Sequence, residues 1–243
     1  MRRVLVLRHM DEDGPGRFGD FLRDDGFAID CVNVHRGECL PSLAPYDILY
    51  VLGGAMDVWE EEQHPWLAAE KAAIREWVEK RARPFLGVCL GHQLLAEALG
   101  GKVDLAGEAE IGVFDITLNG GGKAHAMASG LPSAAKVTQW HHAEVKTLPE
   151  GATVFASSKA SAVQAMIVGD CALGIQFHAE WKNEFIASWA LLPSYAAAME
   201  KALGPGAHAR LVADAAAIMP AYHAFARGLY DNLMRMARVR VPA

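Results

Sequence analysis

No apolar run in the chain approaches the roughly 18 to 20 residues that a helix needs to cross a bilayer, so no membrane span is expected. Cysteine is scarce, with four in 243 residues, and no two stand in a C-x-x-C pair. A chain of this size builds a core without disulfide staples, so Cys31, Cys39, Cys89 and Cys171 point to a reduced, cytoplasmic protein. Positive charge is thin and scattered. The 23 Lys and Arg face 29 Asp and Glu, a net charge of −6, which excludes a basic nucleic-acid surface. The opening stretch MRRVLVLRHMDED holds four apolar residues between arginines, too few for a signal-peptide core, and predicts a first strand instead. Ten histidines are present, but their spacing does not suit a metal. His141 and His142 are adjacent, so on a strand they point to opposite faces. No metal or cofactor is expected.

Short Val- and Ile-rich runs recur at Val4 to Leu7, Ala28 to Val34, Asp47 to Leu52 and Pro84 to Cys89. They lack a polar alternation, as strands buried on both faces of a parallel sheet do. Helical patterns lie between them. After Pro65, the residues Leu67, Ile74, Trp77 and Val78 share one face, with charged residues assigned to the other. After Cys89, the residues Leu94, Leu95, Ala98 and Leu99 share a face, and Gly100-Gly101 ends the helix. Between residues 102 and 178 the pattern changes to short strands, around Ile111 to Leu118, Val137 to Trp140, Thr153 to Ala156, Ala162 to Val168 and Leu173 to Phe177. The NGGG stretch among them reads as a turn, because it lacks the Lys-Ser/Thr ending of a phosphate loop. From Trp181 the chain is Ala-rich and helical, with interruptions expected at Pro193, Gly204-Pro205 and Pro220. Phe225, Leu229 and Leu233 mark the apolar face of its last helix. The expected fold is α/β: an open, mostly parallel, flavodoxin-like three-layer sandwich with an antiparallel extension and extra C-terminal helices. One domain is expected over 1–243, with a core at 1–181 and a helical extension at 182–243.

The stretch GVCLGHQ (Gly87 to Gln93) places Cys89 where a buried strand gives way to a helix. Glycines two residues to either side permit the sharp turn of a nucleophile elbow, here with cysteine in place of serine. A helix N-terminus favours the thiolate, and the N–H of Leu90 is free to face an oxyanion beside the sulfur. Taken alone, G-x-C-x-G also suits an inert buried cysteine, so a base is needed. The stretch GIQFHAEW supplies one. His178 and Glu180 stand two apart in a strand-like run, which would put them on one face with the carboxylate orienting the imidazole. A third stretch, VLGGAMDVW, runs from a strand into Gly53-Gly54, where backbone approaches a ligand closely and a second oxyanion N–H fits.

GVCLGHQ, the Gly53-Gly54 turn and FHAE together resemble the class I glutamine amidotransferase family, the triad type found in GMP synthase and carbamoyl phosphate synthase. The resemblance spans about Val4 to Trp181. It is strongest to free-standing members similar to the amidotransferase domain of GMP synthase, through LGGAMDVW, HPWL and VQAMIVGDCALGIQFHAE. It implies that Cys89 attacks the side-chain amide of glutamine, that Leu90 and the Gly54 region hold the oxyanion, and that His178, oriented by Glu180, protonates ammonia. It further implies that Gln93 and Gly53 meet the bound substrate, and that His141 and His142 lie in a substrate-seating stretch. The chain departs from the family pattern where Ala55 and Ala179 replace prolines. It also departs where His142-Ala143 replaces a Gly-Asp pair, which opens a choice between free glutamine and another γ-glutamyl compound.

No S-G-G-x-D-S loop or P-loop occurs in the sequence, so the chain is not expected to activate an acceptor itself. Either a separate synthetase subunit receives the ammonia, or the protein is a stand-alone γ-glutamyl hydrolase or peptidase. A non-catalytic stress protein with a reactive elbow cysteine is the remaining alternative. In that related group a histidine directly follows the cysteine, whereas Leu90 does so here.

Overall fold

Val4 to Leu7 are wholly buried because their strand has a parallel neighbour on either side. This holds in the computed structural model, which describes residues 2–119, 124–182, 185, 186, 197, 199–201 and 203–240. The strand is β1 (Arg3–Arg8), flanked by β2 (Ala28–Asn33) and β3 (Ile48–Val51). Next to β3 comes β4 (Phe85–Val88). The later strands are β5 (Lys102–Leu118), β6 (Ala134–Thr147), β7 (Ala152–Ser157), β8 (Ala165–Val168) and β9 (Ala172–Ile175). Among the described residues they form one open sheet in the order β2-β1-β3-β4-β9-β8-β7-β5-β6. The first five in that order run parallel, and the other four extend the sheet in antiparallel fashion.

The period of two along β1 and β3 divides the core. Val4, Val6, Tyr50 and Leu52 face one side, where they meet Phe18 and Phe21 of α1 (Gly16–Asp24) and Phe225 and Leu229 of the C-terminal helix α5 (Ala207–Arg240). Leu5, Leu7, Leu49 and Val51 face the other, against α2 (Trp66–Arg75) and α3 (Leu90–Ala98). A short helix, α4 (Ala124–Ala128), precedes β6. The architecture is therefore the expected helix–sheet–helix sandwich.

Three local expectations are corrected. The strand read as Ile111 to Leu118 begins at Lys102. Its first half pairs as a ribbon with β6, broken in register between Leu105 and Glu110, and is largely exposed, so it carries no core pattern. Pro220 does not interrupt the last helix, which continues through it. Proline there removes one helical donor at a cost of about 3 kcal/mol, but Pro220 and Ala216 lie on the exposed side. The buried face, including Tyr222, Phe225, Leu229 and Leu233, keeps the helix on the sheet. Glu70, assigned to the charged face of α2, is instead fully buried with Leu67, Ile74 and Trp77. Pro193 and Gly120 to Gly122 lie outside the described residues.

Candidate active site

Cys89 sits between β4 and α3 with φ 52° and ψ −105°, a conformation that L side chains rarely adopt. The turn closes tightly around it. A Cβ on Gly91 would lie 2.3 Å from the carbonyl oxygen of Val51, and one on Gly87 would lie 2.4 Å from that of Gly91. Only glycine tolerates either approach. The Cys89 N–H bonds the carbonyl of Ile175 at 2.9 Å, which ties the elbow to the end of β9. Its thiol faces the carbonyl of Trp140, with Sγ 3.8 Å away.

The Nδ1 of His178 lies 2.7 Å from Oε1 of Glu180, and both side chains are almost wholly buried. The imidazole stacks on Trp181, with ring centroids 4.0 Å apart. The expected strand geometry is not the cause of this pairing, because β9 ends at Ile175 and residues 178–180 form a turn. The turn is held from outside. The His178 N–H bonds the carbonyl of Thr138 at 3.0 Å, the Thr138 hydroxyl donates to the carbonyl of His178, and Tyr222 of α5 bonds that hydroxyl at 2.6 Å. The Arg17 amide and guanidinium bind the carbonyls of Glu180 and Trp181. Burial works against a charged His178, but the Glu180 carboxylate and the Cys89 side chain, which lies within hydrogen-bonding reach, outweigh it and raise the histidine pKa. The structure thus brings the elbow cysteine, the imidazole and the carboxylate together.

Gly53 and Gly54 follow β3 and lie beside the elbow. A Cβ on Gly54 would press on Leu90, Met56 and His9. The Gly53 carbonyl is held by His9, whose Nδ1 is 2.7 Å away. The other ring nitrogen of His9 lies 3.0 and 3.1 Å from the two oxygens of Glu70. Both nitrogens therefore face oxygen atoms, an arrangement that suits an imidazolium. Burial disfavours that charge, yet Glu70 and the Gly53 carbonyl hold its pKa above the usual value. Trp66 stacks on the same ring at 5.2 Å.

The residues expected to seat a substrate have different surroundings. Gln93 is buried and its amide nitrogen donates to the carbonyl of Ala143 and to Gln176, each at 3.1 Å. His141 is buried against Glu110 at 3.2 Å, and Glu110 also accepts from Gln164. His142 is exposed and pairs with Asp57. The two histidines do point apart. Leu90 opens α3, the position at which a helix leaves its amides unpaired.

Sequence reasoning missed Asp13, His9 with Glu70, and Thr138 with Tyr222. Asp13 stands in the loop after β1, at the carboxyl end of the parallel strands, where open α/β folds bind ligands. That position was the available signal. Its carboxyl is buried, and burial, followed by the nearby Glu180 charge, pushes its pKa up to about 7.

A family model described as Glutamine amidotransferase class-I matches residues 26–184. The glutamine amidotransferase-like protein YfeJ of Salmonella typhimurium is 34% identical over 188 residues, covering 76% of this chain and 78% of that protein. A glutamine-hydrolyzing GMP synthase subunit of Sulfurisphaera tokodaii is 34% identical over 58% of this chain and 71% of its own length. Gamma-glutamyl peptidase 5 of Arabidopsis thaliana is 29% identical over 67% of this chain and 66% of its own length. Among solved structures, a glutamine amidotransferase from Thermotoga maritima superposes with a TM-score of 0.83 at 29% identity, covering 97% of this chain and 98% of that one.

Proposed function

Because the chain belongs to the class I glutamine amidotransferases, we propose that it hydrolyses the side-chain amide of glutamine through a thioester on Cys89. The observation that carries this reading is the His178–Glu180 pair at 2.7 Å beside a cysteine in strained elbow geometry. The Cys89 thiolate attacks the amide carbon, and the carbonyl oxygen becomes an oxyanion within reach of the N–H groups of Leu90 and Gly54. His178 gives its proton to the departing nitrogen, ammonia leaves, and a γ-glutamyl thioester remains. Water, deprotonated by His178, then attacks the thioester and releases glutamate and the thiolate. Glu180 orients the imidazole throughout. The ammonia passes to an acceptor or a partner synthetase, in keeping with the relationship to a GMP synthase component.

The second reading keeps the same chemistry on another γ-glutamyl compound. The resemblance to a γ-glutamyl peptidase and the His142–Asp57 pair at the site of the departed Gly-Asp pattern favour it. A panel of glutamine and γ-glutamyl peptides, assayed for glutamate release with and without ammonia acceptors, separates the two. Turnover of glutamine alone supports the amidotransferase, and preference for the peptides supports the hydrolase. Failure to release glutamate from any of them overturns both.

A further inference from the structure

A Cβ built on Gly53 would meet three groups at once: Cε1 of His178 at 3.3 Å, Oδ2 of Asp13 at 3.5 Å and Cβ of Cys89 at 3.6 Å. The missing side chain of Gly53 thus leaves a small enclosed space into which a buried carboxylate oxygen and the catalytic imidazole both project. Asp13 is 3% exposed. Its Oδ1 accepts the N–H of Gly14 at 2.8 Å, and its carbonyl is gripped by Nε of Arg8 at 2.6 Å, so the loop is fixed by other atoms. Its Oδ2 has no hydrogen-bond partner among the described residues. A loop that needed only a turn-forming aspartate would not bury its second oxygen against a histidine.

We propose that Asp13 is a positioning residue for the Cys89–His178 pair: across the space left by Gly53, its ionised carboxyl faces the Cε1 edge of His178 and adds to the hold of Glu180 and Cys89 on the imidazole proton. The proposal rests on the triad reading given above. His178 already uses Nδ1 for Glu180 and turns toward Cys89, so the Cε1 edge is the side left for a third charge. Every neighbour of Asp13 bears on the balance. His9 lies in its own loop, His178 and Glu180 come from the turn after β9, Tyr50 rises from β3, and Cys89 stands across Gly53. The hydroxyl of Tyr50 and Oε2 of Glu180 are also buried without partners among the described residues. Two carboxylates so enclosed resist ionising together, so Asp13 is neutral at low pH and charged only as the pH rises. Its charge therefore arrives as the pH rises and adds to the hold that Glu180 and Cys89 already have on the imidazolium.

The test compares wild type with Asp13→Asn, which keeps the bond from Gly14, and with Asp13→Ala and Asp13→Glu. Two measurements are made on each: the pH profile of kcat/KM for the substrate found above, and the titration of His178 followed by NMR of histidine-labelled resting enzyme, with His178→Gln identifying the resonance. Asp13→Asn and Asp13→Ala should move the alkaline limb and the His178 midpoint down together by about one pH unit or more, roughly a tenfold weaker hold on the proton. The acid limb and KM should stay near wild type, and Asp13→Glu should recover part of the shift. A His178 midpoint that does not move in the folded Asn and Ala variants overturns the proposal. The resonance is read without turnover. Absence of activity in wild type therefore counts against the triad reading alone, while the coupling of Asp13 to His178 is still decided.

Discussion

Glu180 reaches Nδ1 of His178 at 2.7 Å across a turn that lies wholly beyond the last parallel strand. The pair is consequently held by hydrogen bonds to Thr138, whose hydroxyl is in turn bonded by Tyr222, and to the Arg17 amide, and not by β9. Glu180→Gln should keep this turn folded and slow acylation by about 10² to 10⁴-fold, the range of a misplaced general base. Cys89→Ala and His178→Ala should fall further, while binding measured on the Cys89→Ala background stays near wild type. Single-turnover acylation decides it. A wild-type rate in Glu180→Gln would reduce the triad to a dyad.

Cys89→Ser should abolish amide hydrolysis in a protein that still folds. The proposed mechanism uses a thiolate at the elbow beside an imidazolium, and a serine hydroxyl holds its proton far more strongly. Circular dichroism and a glutamate-release assay on the same sample suffice, and turnover near that of wild type would end the assignment of Cys89 as nucleophile.

Removing Glu70 should disturb both stability and the Gly53-Gly54 loop. Glu70→Gln leaves His9 buried without its counter-ion, which costs about 3 to 5 kcal/mol. The raised pKa of His9 means that the pair stabilises fully below the unfolded histidine value of about 6.5 and ceases to do so as pH rises through the folded value. The gap in urea midpoint between wild type and Glu70→Gln should thus be wide at pH 6 and narrower at strongly alkaline pH. In activity, kcat should fall more than KM rises, because His9, which anchors the Gly53 carbonyl, loses the counter-ion on its other nitrogen. A gap independent of pH would show that His9 is not charged in the fold.

Asp13 has the opposite sign from an ordinary surface carboxylate. Its folded pKa is raised to about 7 by burial and by the Glu180 charge, so the folded state prefers the protonated form. That preference stabilises fully below the unfolded aspartate value of about 3.9 and is lost as pH climbs through the folded value. Asp13→Asn removes the titration, so it should gain stability on wild type by up to about 1.4 kcal/mol per pH unit across that window. Denaturant midpoints of both proteins from pH 4 to pH 8 measure this. A difference that stays flat would place the Asp13 carboxyl in contact with water.

The parallel core was legible because strands buried on both faces, such as Val4 to Leu7, have no polar positions to blur their pattern. The elbow was legible because close backbone approaches restrict residues 87 and 91 to glycine. The ribbon start of β5 was not, since an exposed strand needs no apolar alternation. Glu70 was misplaced for a related reason. Its buried partner His9 lies 61 residues away, and a carboxylate in a helix pattern gives no sign of a distant counter-ion. The His178–Glu180 spacing did bring the two groups together, but through the turn's own tethers and not through strand alternation.

The left-handed backbone at Cys89 costs a non-glycine residue on the order of 1 to 3 kcal/mol, and it falls at the position where the proposed mechanism needs a sulfur. Folding and chemistry therefore impose opposite pressures on a single codon. A library selected only for thermal resistance would drift toward glycine at residue 89 and discard the nucleophile while improving the scaffold.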